Sequence, residues 1–205
     1  MAKRGYHHGN LRQALVEAAL TLIEAQGPSG FTLSEAAKQA GVTPAAVYRH
    51  FAGRDDLIAE AARQGFVIFT EMMQRAHDAG QPSALASFKA TVRAYLAFAR
   101  RYPGHYIAMF ESGIPVTRTP ELAMIASRAR AVLDRVAEDL SRHIPPGNRP
   151  PAAVFSAHIW AMSHGVVELF LRNSPGTPSP FAPEELLETG IGIYLRGLGV
   201  IPPDG

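Results

Sequence analysis

Residues 32–51 read TLSEAAKQAGVTPAAVYRHF, and their spacing predicts two short helices joined by a tight turn. Thr32 and Glu35 form a T-x-x-E capping box, in which each side chain satisfies a backbone donor at a helix start. Ala36, Ala37 and Ala40 keep that helix slim, so another can cross it closely. Gly41 stands where the chain must turn, because glycine takes positive φ at no steric cost. Thr43 is placed to N-cap the second helix. Pro44 follows at its first position, where a missing N–H does no harm. Val47 and Phe51 share an inward face and leave Ala45, Ala46, Tyr48, Arg49 and His50 outside. A helix presenting short and polar groups from its N-terminal end is what a major groove accepts. An ordinary pair of core helices can show the same turn, but the caps, the glycine and the polar outer face together favour DNA binding.

Working outward, Leu11, Leu15, Ala18, Ala19, Leu22 and Ile23 follow the rhythm of an amphipathic helix. Asn10 is placed to cap it, and Gly27-Pro28 ends it. Downstream, a long helix is predicted from Arg54 to Ala79, ended by Gly80. Leu57, Ile58 and Ala61 close the head, Phe66, Phe69 and Met73 lie further along, and the helix acts as a rod between head and body. Further helices are expected at 83–101, near 105–112, and at 121–142, 152–172 and 184–198. There is no strand-like alternation, internal repeat or sustained heptad. The expected fold is all-α with about nine helices: a three-helix helix-turn-helix head at 1–56 and a larger ligand-sensing and dimerisation body at 57–205.

The block from His7 to Leu57, carried by the stretches YHHGNLRQALVEAALTLIEAQG, FTLSEAAKQAGVTPAAVYRHF and GRDDLIAEA, resembles the N-terminal domain of the tetracycline-repressor (TetR) family of bacterial transcriptional regulators. HIWAMSHGVVELF (158–170) resembles a W…HG pattern in the bodies of one branch of that family. The resemblance implies an all-helical homodimer with a DNA-binding head and a ligand-sensing body. It also implies that Thr43, Pro44, Ala45, Ala46, Tyr48, Arg49, His50 and Arg54 occupy DNA-contacting positions. Thr32, at the start of the motif, joins these candidates. The Tyr48 hydroxyl suits a phosphate, and Arg54 opens a helix whose N–H groups favour one. Arg49 is the candidate for direct base reading, with a phosphate clamp as the alternative. Lys3 and Arg4 form either a minor-groove arm or a basic tail. His7-His8 reads as a lead-in to the first helix rather than a metal site.

Apolar residues make up 47% of the 205, enough for a real core, and the net charge is only +2. Between Lys3 and Arg54, however, six cations stand against three carboxylates, so the positive excess lies over the helix-turn-helix end. The absence of cysteine excludes disulfides and thiolate metal sites. No secretory signal or run of eighteen uncharged apolar residues is present, so a cytoplasmic protein without a membrane partner is expected. No H-E-x-x-H, G-x-S-x-G or phosphate loop supports an enzyme, and no cofactor or metal is expected.

In the body, Tyr95, Phe98, Tyr102, Tyr106, Met109 and Phe110 cluster around a Pro-Gly break. Trp160, His164 and Glu168 recur every four residues on a later helix. Apolar walls with a few polar groups suit a small-molecule pocket, and plain core is the alternative. His164 can donate to Glu168 one turn on. Val166, Val167, Phe170, Leu171, Ile191, Tyr194, Leu195 and Leu198 are candidates for a homodimer interface, with inner core as the alternative. Gly190, Gly192 and Gly197 cost the last helix roughly 1 kcal/mol each against alanine, which suits close approach by another helix. The expected function is a ligand-responsive regulator, most simply a repressor released from a palindromic operator by a small effector. The alternatives are an architectural DNA binder without a sensor, or an enzyme.

Overall fold

The capping box at Thr32 is formed. Thr32 Oγ1 accepts from the Glu35 N–H at 3.2 Å, and Glu35 Oε2 accepts from the Thr32 N–H at 2.7 Å. These bonds begin α2 (Leu33–Gln39), which follows α1 (His8–Gln26) and precedes α3 (Pro44–Val47) and α4 (Arg54–Gly80). Then come α5 (Ala84–Arg101), α6 (Pro103–Phe110), α7 (Pro120–Ser141), α8 (Ala152–Val166) and α9 (Pro183–Gly197). This computed structural model describes residues 8–171 and 180–202, and among them there are nine α-helices and no strand. Lys3, Arg4 and His7 lie outside the described residues, as do the side chains of His8 and Asn10.

Two compact units divide the chain. The first takes the residues up to Ile68 together with Tyr102–Ser127; the second takes Phe69–Arg101 and the residues from Arg128 onward. This cuts the chain differently from the expected division after residue 56. The first unit needs α6, which docks on α1 through a glycine. A Cβ on Gly104 would lie 2.9 Å from the Leu20 carbonyl oxygen, and its N–H donates to Glu24 Oε1 at 3.0 Å. His105 Nδ1 meets the Ala61 carbonyl at 2.9 Å, and burial pushes the His105 pKa down, so the neutral ring donates. Leu15, Ala19, Ile23, Phe31, Val47 and Leu57 fill this unit's core.

In the second unit Phe69 sets its ring edge-on to Tyr95 and Phe98, at 5.5 and 5.1 Å between centroids. Phe88, Phe155 and Tyr194 stack in sequence, linking α5, α8 and α9. Rings in such arrangements add roughly 0.5–1.5 kcal/mol per pair beyond area burial.

Several expectations are corrected. Thr43 takes the extended backbone of a cap, but its side chain makes no capping bond. The recognition helix is only four residues long, and residues 48–50 continue as a turn. The α6 helix begins at Pro103, because proline tolerates the first helical position while ending the helix before it. The helix from Ala152 keeps α geometry only to Val166, and Val167–Leu171 is a π-helical turn. His164 Nε2 is 4.0 Å from Glu168 Oε1, an ion-pair distance and no hydrogen bond.

The segment Ala152–Leu171 has a mean hydropathy of 1.3 over 20 residues, long and apolar enough to cross a membrane, and only 28% of it is buried. It also carries His158, His164 and Glu168 and packs on α5 and α9. One face of the segment therefore packs inside the chain, and much of the rest is exposed or half-buried.

Candidate nucleic-acid interface and ligand cavity

The recognition segment is held from beneath by two buried anchors. Val47 is 0% exposed and Phe51 3%, while Tyr48 on the opposite side is 61% exposed. Gly41, at φ +71, makes the turn that aims α3 outward, as its position predicted. Thr43, Pro44, Ala45 and Arg49 are exposed, and Ala46 and His50 half-buried. The structure therefore brings Thr43 to His50 together on one accessible edge. Thr32 is exposed at the start of α2 and Arg54 half-buried at the start of α4. Arg54 Nη1 donates to the Ser29 carbonyl at 3.1 Å, so part of its guanidinium ties the loop before α2 to α4.

Arg12 was not among the sequence candidates, yet it supports this edge. Its Nη1 donates to the His50 carbonyl, its guanidinium lies over the Phe51 ring, and its Nη2 pairs with Glu60 Oε2 at 3.2 Å. Glu60 also accepts from Arg63 Nε at 2.9 Å and Gln64 Nε2 at 3.1 Å. Burial alone would raise the Glu60 pKa. The bonds from Arg63 and Gln64, and the charges of Arg63 and Arg12, outweigh that and hold it at about 2. Arg63 and Gln64 lie three and four residues after Glu60 on one helix, but no local pattern signals the links of Arg12, which is 38 residues from His50 and 48 from Glu60.

In the second unit a small cavity of about 30 Å³ is lined by residues including Tyr95, Trp160, Phe88 and Ser163. Tyr95 is buried and its hydroxyl meets His164 Nδ1 at 3.0 Å. Trp160 is 38% exposed and carries the Arg130 guanidinium 5.5 Å from a ring centroid. Glu168 Oε1 is buried without a hydrogen bond. Phe98 is fully buried as core. Tyr102, Tyr106, Met109 and Phe110 belong to the first unit, where Tyr106 and Phe110 pack ring on ring at 4.9 Å. The expected aromatic cluster is thus two sets, and only Tyr95 and Trp160 among its members line this cavity.

The expected interface residues also separate. Val166, Val167, Ile191 and Leu195 are buried within the chain, so they are not presented to a partner. Phe170, Leu171, Tyr194 and Leu198 are half-buried. Beside them, Val154, Ala157 and Ala161 on α8 and Ile193 and Gly197 on α9 are exposed, and Gly165, Leu186 and Gly190 are half-buried. Both sets keep helical spacing, and only Gly190 and Gly197 among them were singled out from the sequence. At Gly165, Gly190 and Gly197 a Cβ would meet nothing within 4 Å, so no helix among the described residues explains these glycines.

Comparison with known proteins follows this architecture. Residues 15–61 match the family described as "Bacterial regulatory proteins, tetR family", and residues 88–194 match "Tetracyclin repressor-like, C-terminal domain". The HTH-type regulator YobS of Bacillus subtilis is 30% identical over 101 residues, 49% of this chain and 51% of that protein. AcrR of Shigella flexneri is 47% identical over 49 residues, 24% of this chain and 23% of its own. The chain thus spans about half, or less, of the length of the curated relatives it matches. A solved protein of unknown function from Rhodococcus sp. RHA1 superposes with a TM-score of 0.78 at 25% identity, covering 96% of this chain and 99% of that one. AibR, solved in complex with isovaleryl coenzyme A and operator DNA, superposes at 0.70 with 21% identity, over 89% and 97% of the two chains. A helix-turn-helix matched by one family profile and a body matched by another over more than half the chain agree: the chain belongs to the tetR family of bacterial regulatory proteins.

Proposed function

We propose that this protein is a ligand-responsive transcriptional regulator that binds a palindromic operator as a homodimer and is released by a small molecule. The division of labour is that expected from the sequence, with DNA reading before residue 57 and sensing and dimerisation beyond it. The observation that carries the reading is the exposed edge from Thr43 to His50, mounted on buried Val47 and Phe51. A short helix with its polar end outward and its root locked fits a major groove, with Tyr48 and Arg49 as the main contacts. One such edge per chain is too little for tight specific binding, which favours two-fold symmetry and half-sites about one turn, roughly 34–36 Å, apart or a multiple of that.

The small-residue stripes of α8 and α9 support dimerisation, since helices from two subunits can approach closely over Gly165, Gly190 and Gly197. Soluble oligomers favour such closed two-fold pairing. The effector reading is supported by the cavity at Tyr95 and Trp160 and, by analogy, by AibR, whose structure holds an acyl coenzyme A with its operator. A DNA-binding protein of this family, located with its operator, acts in the cytoplasm. The test is fluorescence anisotropy with the DNA upstream of the protein's own gene, alongside light scattering. A dimer that binds one defined palindrome is expected. A monomer, or uniform coverage of unrelated DNA, would overturn the reading.

A further inference from the structure

The inner cavity beside Tyr95 and Trp160 lies within the second unit, walled by α5, α7 and α8. Among the described residues, none of the side chains in its wall is charged. The hydroxyls of the wall are engaged within the chain. Thr91 donates to the Ser87 carbonyl at 2.8 Å, Ser163 to the Ile159 carbonyl at 2.9 Å and Ser156 to Asp134 Oδ1 at 2.6 Å. The Tyr95 hydroxyl meets His164 Nδ1 at 3.0 Å, and His164 is not part of the wall. The backbone groups of the wall are helical and bonded along their own helices. What faces the void is therefore aliphatic and aromatic surface, from Phe88, Val92, Leu133, Val136, Ala137 and Ile159 among others.

Such a wall discriminates by charge. A carboxylate or ammonium that enters it gives up water and meets no partner of opposite charge, and an isolated ion so buried is costly. An apolar molecule gives up nothing polar and gains with every part of its surface that it covers. At about 30 Å³ the void is far below the roughly 300–1,000 Å³ of ligand pockets, so a ligand must displace part of the wall. The wall residues differ in how easily they yield. Phe88, Val92, Tyr95, Val136 and Ala137 are buried, whereas Trp160 is 38% exposed. The Arg130 guanidinium lies 5.5 Å from a Trp160 ring centroid, and its Nε is already paired with Asp134 at 2.9 Å. A cation–π contact at so exposed a site is weak, and outward rotation of the indole gives it up to make room beneath the ring.

We propose that the inner cavity binds neutral, apolar molecules of single-ring size, admitted by outward rotation of Trp160. As the trigger of a regulator this site rests on the effector reading above; its preference for neutral ligands does not. Trp160 is the one tryptophan of the chain, so its emission reports on this wall. The test is titration of the full chain with cyclohexane, cyclohexanecarboxylate and cyclohexylammonium, three probes that share a ring and differ in charge. A saturable change in Trp160 emission is expected with cyclohexane, and binding of both ions weaker by about ten-fold or more. Ala137→Leu fills the void from a helical position that suits leucine and should abolish the response. Because overpacking can unfold a core, Val136→Ile, which adds one methylene, is the milder fill and should weaken cyclohexane by about three-fold or more. Thr91→Val removes a hydroxyl that takes no part, and should leave cyclohexane affinity within about two-fold. An ion that binds as tightly as cyclohexane, no saturable response to cyclohexane, or unchanged affinity in the filled variants that fold would overturn the proposal. Operator binding is followed in parallel. Cyclohexane that binds and leaves operator affinity unaltered supports the neutral site and counts only against the effector role. An ion that moves Trp160 emission and releases the operator, where cyclohexane does neither, would overturn the neutral class and leave the effector reading standing.

Discussion

Arg12 donates from Nη1 to the main-chain carbonyl of His50 at 3.2 Å, which ties α1 to the end of the recognition segment. The same guanidinium covers the Phe51 ring at 4.6 Å and meets Glu60. A residue that braces the reading edge from α1 can therefore set how well that edge is presented. A single hydrogen bond is worth about 0.5–1.5 kcal/mol net. Arg12→Met keeps the aliphatic cover on Phe51 and removes the bonds, so operator affinity should fall by about 3- to 10-fold. The salt dependence should stay as in the native protein, because no phosphate contact is lost. A shallower slope would mean that Arg12 touches DNA itself.

Glu60 makes the same network sensitive to acid. Its folded pKa, about 2, lies below the ordinary value of 4.5, so it contributes stability that is fully present above pH 4.5. That contribution is lost as pH falls from about 4.5 to about 2. Glu60→Gln should lower the melting temperature at pH 7 and flatten the fall in stability across that window. Thermal melts of both proteins from pH 7 to pH 3 check this. Parallel curves for the two would remove Glu60 from the account.

What was legible in the sequence was local. Thr32 and Glu35 are three residues apart, Gly41 marks a turn and Pro103 a break, and each signal acts on its immediate neighbours. The apolar rhythm likewise located nearly every helix to within a few residues. Arg12 could not be joined to His50 and Glu60 in that way, because only tertiary packing brings it to them. Helical spacing alone also left it open which apolar face of α9 turns inward. Ile191 and Leu195 face the chain's own core, and Ile193 faces out at 60% exposure. The π turn after Val166 carries no local sequence signal, and the expected His164–Glu168 hydrogen bond is an ion pair at 4.0 Å instead.

Tyr48 and Arg49 are adjacent and both exposed, but their chemistry predicts different losses. Tyr48→Phe removes a hydroxyl suited to phosphate, which carries no base information, so binding to all sequences should weaken alike. Arg49→Ala removes a base contact worth roughly 1–3 kcal/mol, which should relax preference at one operator position. Competition with single-base operator variants separates the two. The reverse pattern would exchange their roles.

The outward stripes on α8 and α9 yield a prediction about assembly. Ile193→Glu places a charge where the proposed partner helix would lie, and desolvating it costs several kcal/mol unless it is paired. The variant should sediment as a monomer at micromolar concentration with its helical content kept. Its operator affinity should drop steeply, because each monomer then reads one half-site alone. A variant that remains dimeric would move the interface away from α9.

Trp160 offers the test of the switch. A ligand that releases DNA must bind the non-binding geometry better than the binding one, and only that difference can move the equilibrium. Trp160 lines the inner cavity, is 38% exposed, and lies under Arg130, so it contributes wall rather than deep core. Trp160→Ala enlarges a cavity of about 30 Å³ and removes the aromatic surface beside His164. Induction should therefore weaken, while operator affinity without ligand stays within about two-fold, since a ring this exposed is worth little to the fold. Reciprocity supplies the internal check. Operator DNA must weaken the ligand by the same factor that the ligand weakens DNA, in the variant as in the native protein. Titrations of an inducing compound with and without operator measure both factors. An unchanged response in Trp160→Ala would move the sensor to another part of the body, and lost operator binding without ligand would mark Trp160 as structural.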